Sequence, residues 1–258
     1  MDFAEPLSYP LKDLKKLVIG GLMVFPRMLL LLIPLIMSWG YMIKVAGDTV
    51  KGKNELPEFN DWGYFLTKGL GTILIYTLYG LFAIIITLPA TILYFMFIFS
   101  LFGGYYTQGY SYTPDTTLMI LAMIFYIIAF IPLIVLSIME MIACVRYGEK
   151  GNVGVAFEFR KIYRKFKTNL ANYIIGFLVL FGFLLVIYIV MIIAMITIVG
   201  ILFIGIILFY VIMVQIRMFA QIYKESKVKL DESGESTLSR QETAQSGLSR
   251  GDEWKELK

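Results

Sequence analysis

The chain has no histidine and only one cysteine, Cys144, among its 258 residues. Without histidine there is no Ser-His pair for acyl transfer, no HExxH zinc site and no histidine ligand for haem. A lone cysteine cannot form an intramolecular disulfide and leaves the redox compartment open. Cys144 reads as a packing residue at the end of an apolar span. Aspartate is missing from the apolar runs: Asp2, Asp13, Asp48, Asp61, Asp115, Asp231 and Asp252 all lie outside them. An intramembrane aspartyl protease needs two, opposed within the spans. A Walker A motif and a dinucleotide-binding glycine fingerprint are also absent. No catalytic residue, cofactor or metal ligand is therefore expected, and the protein reads as a non-enzyme. The modest net charge of +4 does not suggest nucleic acid.

The cations are scarce in a patterned way. No Lys or Arg stands between Lys68 and Arg146, and none between Lys167 and Arg217. Hydrophobic residues make up 59% of the chain, against about 45–50% in a soluble domain. The apolar runs exceed the roughly 20 residues that cross about 30 Å of hydrocarbon as helix. The expected fold is all-α: a polytopic helical membrane domain over 1–224, with five apolar segments at about 17–43, 70–102, 117–145, 173–197 and 201–223. The last extends to Tyr223 if Arg217 snorkels. Ile198-Val199-Gly200 is the expected reversal, because an unbroken helix over 173–216 would be too long. The tail, 225–258, is polar, has Trp254 as its only aromatic, and is expected to be disordered.

Loop charge orients the spans. Residues 44–68 and 146–172 are rich in Lys and Arg, whereas 103–116 has none. Basic short loops stay in the cytoplasm, which places the C-terminus inside a multi-pass protein of the cell membrane. The first segment breaks this logic. Lys12, Lys15 and Lys16 precede it and the basic 44–68 loop follows, yet a single crossing would separate them. Either 17–43 is re-entrant or kinked, broken at Pro26 or Pro34, or the N-terminus lies outside against its charge. Both prolines disrupt helix interiors.

Two charges fall inside apolar segments. Arg27 lies eleven residues past Lys16, roughly 16 Å along a helix, and Glu140 lies about 9 Å before Arg146. A central Arg costs about 2.5–3.5 kcal/mol on insertion scales, so Arg27 and Glu140 form a candidate intramembrane charge pair. Residues 152–167 read as an in-plane amphipathic helix. Val155, Phe159, Ile162 and Phe166 lie on the face toward the acyl chains, with Val153 and Phe157 as misfits. Arg160, Lys161, Arg164, Lys165 and Lys167 are candidate contacts for anionic lipid headgroups or a membrane protein partner. In 56–63, LPEFNDWG, Pro57, Phe59, Asn60, Asp61 and Trp62 make a candidate structural corner. Pro57 stops a helix, Asn60 or Asp61 can cap one starting near Trp62, and the two rings suit the headgroup zone. Tyr105, Tyr106, Tyr110 and Tyr112 read as an aromatic belt on the opposite side.

The LSYP start, KKLVIGG, GYMIK, LPEFNDWG and AFEFRKIYRKFKTNLANYI together resemble the mainly archaeal membrane family catalogued as domain of unknown function 4013. The resemblance spans about residues 5–224 and implies an integral membrane protein without an assigned activity or catalytic residues. Arg27 departs from the apolar first segment that it implies. The expected role is a non-enzymatic organiser of lipids or partner subunits. The alternative is a transporter or channel-like protein for a small solute or lipid.

Overall fold

A computed structural model describes residues 5–24, 32–103, 115–196, 200 and 203–227. Among these residues the fold is helical, with no strand. A short α1 (Glu5–Ser8) and a 3-10 turn (Tyr9–Lys12) lead into α2 (Leu14–Val24). There follow α3 (Leu32–Val50), α4 (Trp62–Gly103) and α5 (Thr116–Lys150). A second 3-10 turn (Val153–Phe157) precedes α6 (Phe159–Thr168), α7 (Leu170–Ile196) and α8 (Phe203–Lys227).

Four helices, α4, α5, α7 and α8, are long and apolar enough to cross a membrane. Their outer surfaces carry Phe99, Ile127, Ile131 and Ile196, each at least 70% exposed. So large an apolar surface would be untenable in water but matches hydrocarbon. The chain is a multi-pass membrane protein. Pro89 and Pro132 sit inside α4 and α5 without ending them, as spanning helices tolerate.

The four helices are not equivalent. In the most apolar window of α8, 56% of residues are buried in the protein, against 6% in α4 and α7 and 11% in α5. α8 packs against α2, α3, α5 and α7. Phe209 and Ile206 meet Gly20 and Gly21 of α2, and Phe209 lies 5.5 Å from the Tyr41 ring of α3. Phe219 stacks on Tyr173 of α7 at 6.2 Å. Gln215 Nε2 donates to Met141 Sδ of α5 at 3.4 Å.

α4 and α5 form an antiparallel pair. Lys68 lies over the Tyr147 ring at 4.7 Å, and farther out Thr91 Oγ1 is 3.3 Å from Tyr126 Oη. α3 crosses this pair at glycines. A Cβ at Gly40 would strike the Phe65 carbonyl, one at Gly69 the Ile36 carbonyl, and one at Gly47 the Gly148 carbonyl. Small residues allow such backbone contact between membrane helices. α5 ends at Gly151, whose φ of 76° is left-handed and whose N–H caps the Tyr147 carbonyl.

Several boundaries differ from those expected. α3 runs to Val50, beyond 43, because Lys44 lies over the Tyr64 and Phe65 rings and Asp48 pairs with Lys53 at 3.2 Å. The helix expected over 152–167 is two elements broken at Glu158. Asn152 Oδ1 accepts from Gly154 N and starts the 3-10 turn, and Tyr79 Oη takes the Ala156 carbonyl at 3.2 Å. Glu158 O then accepts from Lys161 N and Ile162 N, opening α6. The break turns the misfits Val153 and Phe157 onto the core. In the expected reversal at 198–200, only Gly200 is among the described residues. α8 continues through Glu225, Ser226 and Lys227, the first residues of the tail expected from 225; the tyrosines of 105–112 and the rest of the tail, from 228, lie outside the described residues.

Candidate functional site

The polar groups of the described chain gather at one end, around Arg217. Its side chain is 3% exposed, so α8 runs past it with the guanidinium held inside the protein. Glu5 draws it inward: Nη2 donates to Oε1 at 3.1 Å and Nε to Oε2 at 3.3 Å. Nη1 donates to Thr49 Oγ1 at 2.8 Å and to the Lys53 carbonyl at 2.9 Å, and Nη2 to Asn54 Oδ1 at 2.7 Å. The Tyr9 ring covers the guanidinium at 4.2 Å. Gln221, one turn along α8, donates to Glu5, and Lys12 pairs with Glu5 at 3.1 Å. Burial raises the Glu5 carboxyl pKa, but the hydrogen bond and charge of Arg217, with the hydrogen bonds from Lys12 and Gln221, together outweigh it and hold the group below its usual value. The Tyr9 hydroxyl, mainly through burial, is pushed up to about 12.

This cluster closes the first apolar segment on itself. Glu5 precedes α2 and Asn54 follows α3, yet both bond one guanidinium. The chain therefore leaves and returns to the same place across 14–50. The eleven residues of α2 rise only about 16 Å, roughly half the hydrocarbon thickness. Pro34 sits in the first turn of α3, where a missing N–H is harmless. Pro26 and Arg27 lie outside the described residues.

The LPEFNDWG segment turns the chain from this cluster into α4. Tyr41 Oη donates to the Pro57 carbonyl at 2.9 Å, and Phe59 stacks on the Tyr41 ring at 4.4 Å and 12°. Phe59 is thus packed against the core. Asp61, not Asn60, carries the cap: its Oδ1 accepts from Tyr64 N at 3.0 Å. Asn60 Nδ2 bonds Glu58 instead. Trp62 is half exposed.

α6 does not present its apolar face to lipid. Ile162 and Phe166 are buried in the core, and Phe159 packs on Tyr79 and Phe82. Glu158 anchors the start of the helix through Arg146 and through Lys161 at 3.1 Å. Hydrogen bonding from Lys161, then Arg146, holds the Glu158 carboxyl below its usual range despite a smaller burial effect. Lys165 turns inward, 5.2 Å over the Tyr223 ring. Arg160, Lys161, Arg164 and Lys167 remain exposed. Farther along α5, Glu140 is half-buried, and among the described residues no ion pair reaches it. The pairing with Arg27 falls outside what the described residues contain.

Sequence reasoning missed the Arg217 cluster. The available signal was an acid, Glu5, just ahead of a basic start, together with Gln221 one turn beyond an arginine in an apolar run.

Residues 27–196 match the family model described as a protein of unknown function, DUF4013. The chain belongs to the DUF4013 family. Its match includes the LPEFNDWG corner, α6, Thr49 and Asn54, but Glu5, Tyr9, Arg217 and Gln221 lie beyond its ends. No curated protein and no solved structure matches the chain.

Proposed function

We propose that this DUF4013 protein is a non-enzymatic membrane organiser that gathers anionic lipid headgroups at one face through α6. A partner subunit on the same face is the second occupant. The carrying observation is the division of α6. Ile162 and Phe166 are consumed by the core, so the helix is held rigidly, while Arg160, Arg164 and Lys167, with Lys161 beside its partner Glu158, stay exposed toward the membrane surface. A basic residue near an anionic leaflet contributes about 1 kcal/mol, and four on ten residues of helix make a dense contact.

Orientation follows from the same end. Lys12 pairs with Glu5, and the Lys53 carbonyl accepts from Arg217; Lys15, Lys16 and Lys51 are close in sequence to these residues, and basic flanks stay in the cytoplasm. This supports a cytoplasmic N-terminal segment together with a cytoplasmic C-terminal end of α8.

The test is purification from native membrane in mild detergent, with bound lipids and proteins identified, alongside a variant with Arg160, Lys161, Arg164 and Lys167 all changed to Gln. The wild type should retain an excess of anionic lipid or a stoichiometric partner, which the variant loses. Identical lipid on both proteins, with no partner on either, would refute the proposal.

A further inference from the structure

Beside α2 lies a slot of about 290 Å³ lined by Ile19, Leu22, Pro34, Met37 and Trp62. Two of these residues come from α2, two from α3, and Trp62 opens α4. The slot lies in the re-entrant hairpin, close to where α4 starts at its Asp61 cap. The α2 surface around it is apolar and exposed: Leu14, Val18 and Leu22 all point away from the core, whereas Leu17, Gly20 and Gly21 face it. In a membrane protein such a surface meets hydrocarbon, so the occupant available to an apolar slot there is a lipid chain.

Charge selects which lipid. Three lysines stand at the start of α2, and two are engaged. Lys12 pairs with Glu5, and Lys16 donates to the Leu56 carbonyl at 2.7 Å and pairs with Asp13. Lys15 is exposed and has no partner among the described residues. Lys15, Ile19 and Leu22 follow i, i+4 and i+7, hence one helical face. The free ammonium therefore stands about one turn on the polar side of the slot, where a headgroup phosphate sits above its own acyl chain. The half-exposed Trp62 indole on the slot wall suits the same interfacial depth.

We infer that this slot binds one anionic phospholipid, its chain between Ile19, Leu22, Pro34, Met37 and Trp62 and its phosphate at Lys15. The site is separate from α6 and does not rest on the reading given to that helix.

Trp62 is a built-in reporter. With Trp39 and Trp254 changed to Phe, it is the only tryptophan, and brominated acyl chains quench it on contact. The protein is reconstituted into phosphatidylcholine bilayers containing a small, equal fraction of brominated phosphatidylglycerol or brominated phosphatidylcholine. Phosphatidylglycerol should occupy the quenching site with roughly fivefold preference, the effect of one basic residue beside an anionic headgroup. Lys15→Gln should abolish the preference and Lys15→Arg should keep it. Ile19→Phe, which narrows the slot, should weaken quenching by both lipids. The fourfold Gln variant of α6 should leave the preference intact. Equal quenching by the two lipids, or a preference that survives Lys15→Gln, overturns the site. A preference lost only in the α6 variant also overturns it, while leaving the α6 reading standing.

Discussion

Replacing Arg217 with alanine should destabilise the protein by about 3 kcal/mol. The guanidinium makes five hydrogen bonds, two to Glu5 and one each to Thr49, Lys53 and Asn54, and lies against the Tyr9 ring. Counting each charged bond at about 1.5–3 kcal/mol would overshoot, because burying the arginine has its own desolvation cost. Removing one partner of a buried charge cluster typically costs about 3–5 kcal/mol. The Glu5 side chain is 25% exposed, so water can partly replace what it loses, and the lower end applies. At about 2–4 °C per kcal/mol for a chain of this size, the midpoint should fall by about 6–12 °C. Thermal unfolding in mild detergent, followed by tryptophan fluorescence, measures it. Arg217→Lys restores the charge without the planar fork and should recover less than half of the loss. Glu5→Gln and Arg217→Ala should couple by about 1–3 kcal/mol in a double-mutant cycle.

The pH dependence has a definite sign. The folded pKa of Glu5 is lowered, so its stabilisation is complete above the unfolded carboxylate value. It disappears as pH falls through the lowered folded value. Glu5→Gln should remove that acid-side loss. A midpoint for Arg217→Ala within about 2 °C of wild type, or zero coupling to Glu5, would refute the idea that this cluster holds the hairpin.

Two further substitutions probe the packing. Gly40→Ala puts a methyl group on the Phe65 carbonyl and should cost at least the roughly 1–3 kcal/mol of overpacking. Gly63→Ala and Gly182→Ala, with open space at their Cβ positions, should be neutral or stabilising in the same melting assay. Tyr41→Phe keeps the stack on Phe59 but strands the Pro57 carbonyl, for about 1 kcal/mol. Tyr41→Ala also opens a cavity and should cost about 3–5 kcal/mol. Equal losses for Phe and Ala at Tyr41 would show that the stack contributes nothing.

Local chemistry was legible in the residues. Asn60 and Asp61 just ahead of Trp62 announce a helix cap, and Asp61 supplies it. Clustered cations between apolar runs announce membrane crossings, and α4, α5, α7 and α8 have the length and composition for them. The basic residues of α6 were legible as a helical face. The break at Glu158 was not, because it depends on Tyr79 and Arg146, residues from α4 and α5.

What the sequence determines by itself is therefore the class of solvent around each segment, since apolar runs and charge gaps report transfer free energy residue by residue. It cannot separate lipid from protein as the apolar neighbour, because hydrocarbon and a packed leucine are almost the same environment. α7 is the more hydropathic of the last two helices, yet it faces outward while α8 is buried. Only the tertiary structure made that choice. It also decided that Arg217, far along the chain, meets Glu5 near its start, which returns the first apolar segment to the end from which it began. Such a contact depends on where helices cross, and helix crossings are set by Gly40, Gly47, Gly69 and Gly148 meeting neighbouring backbones, not by any periodicity along the chain.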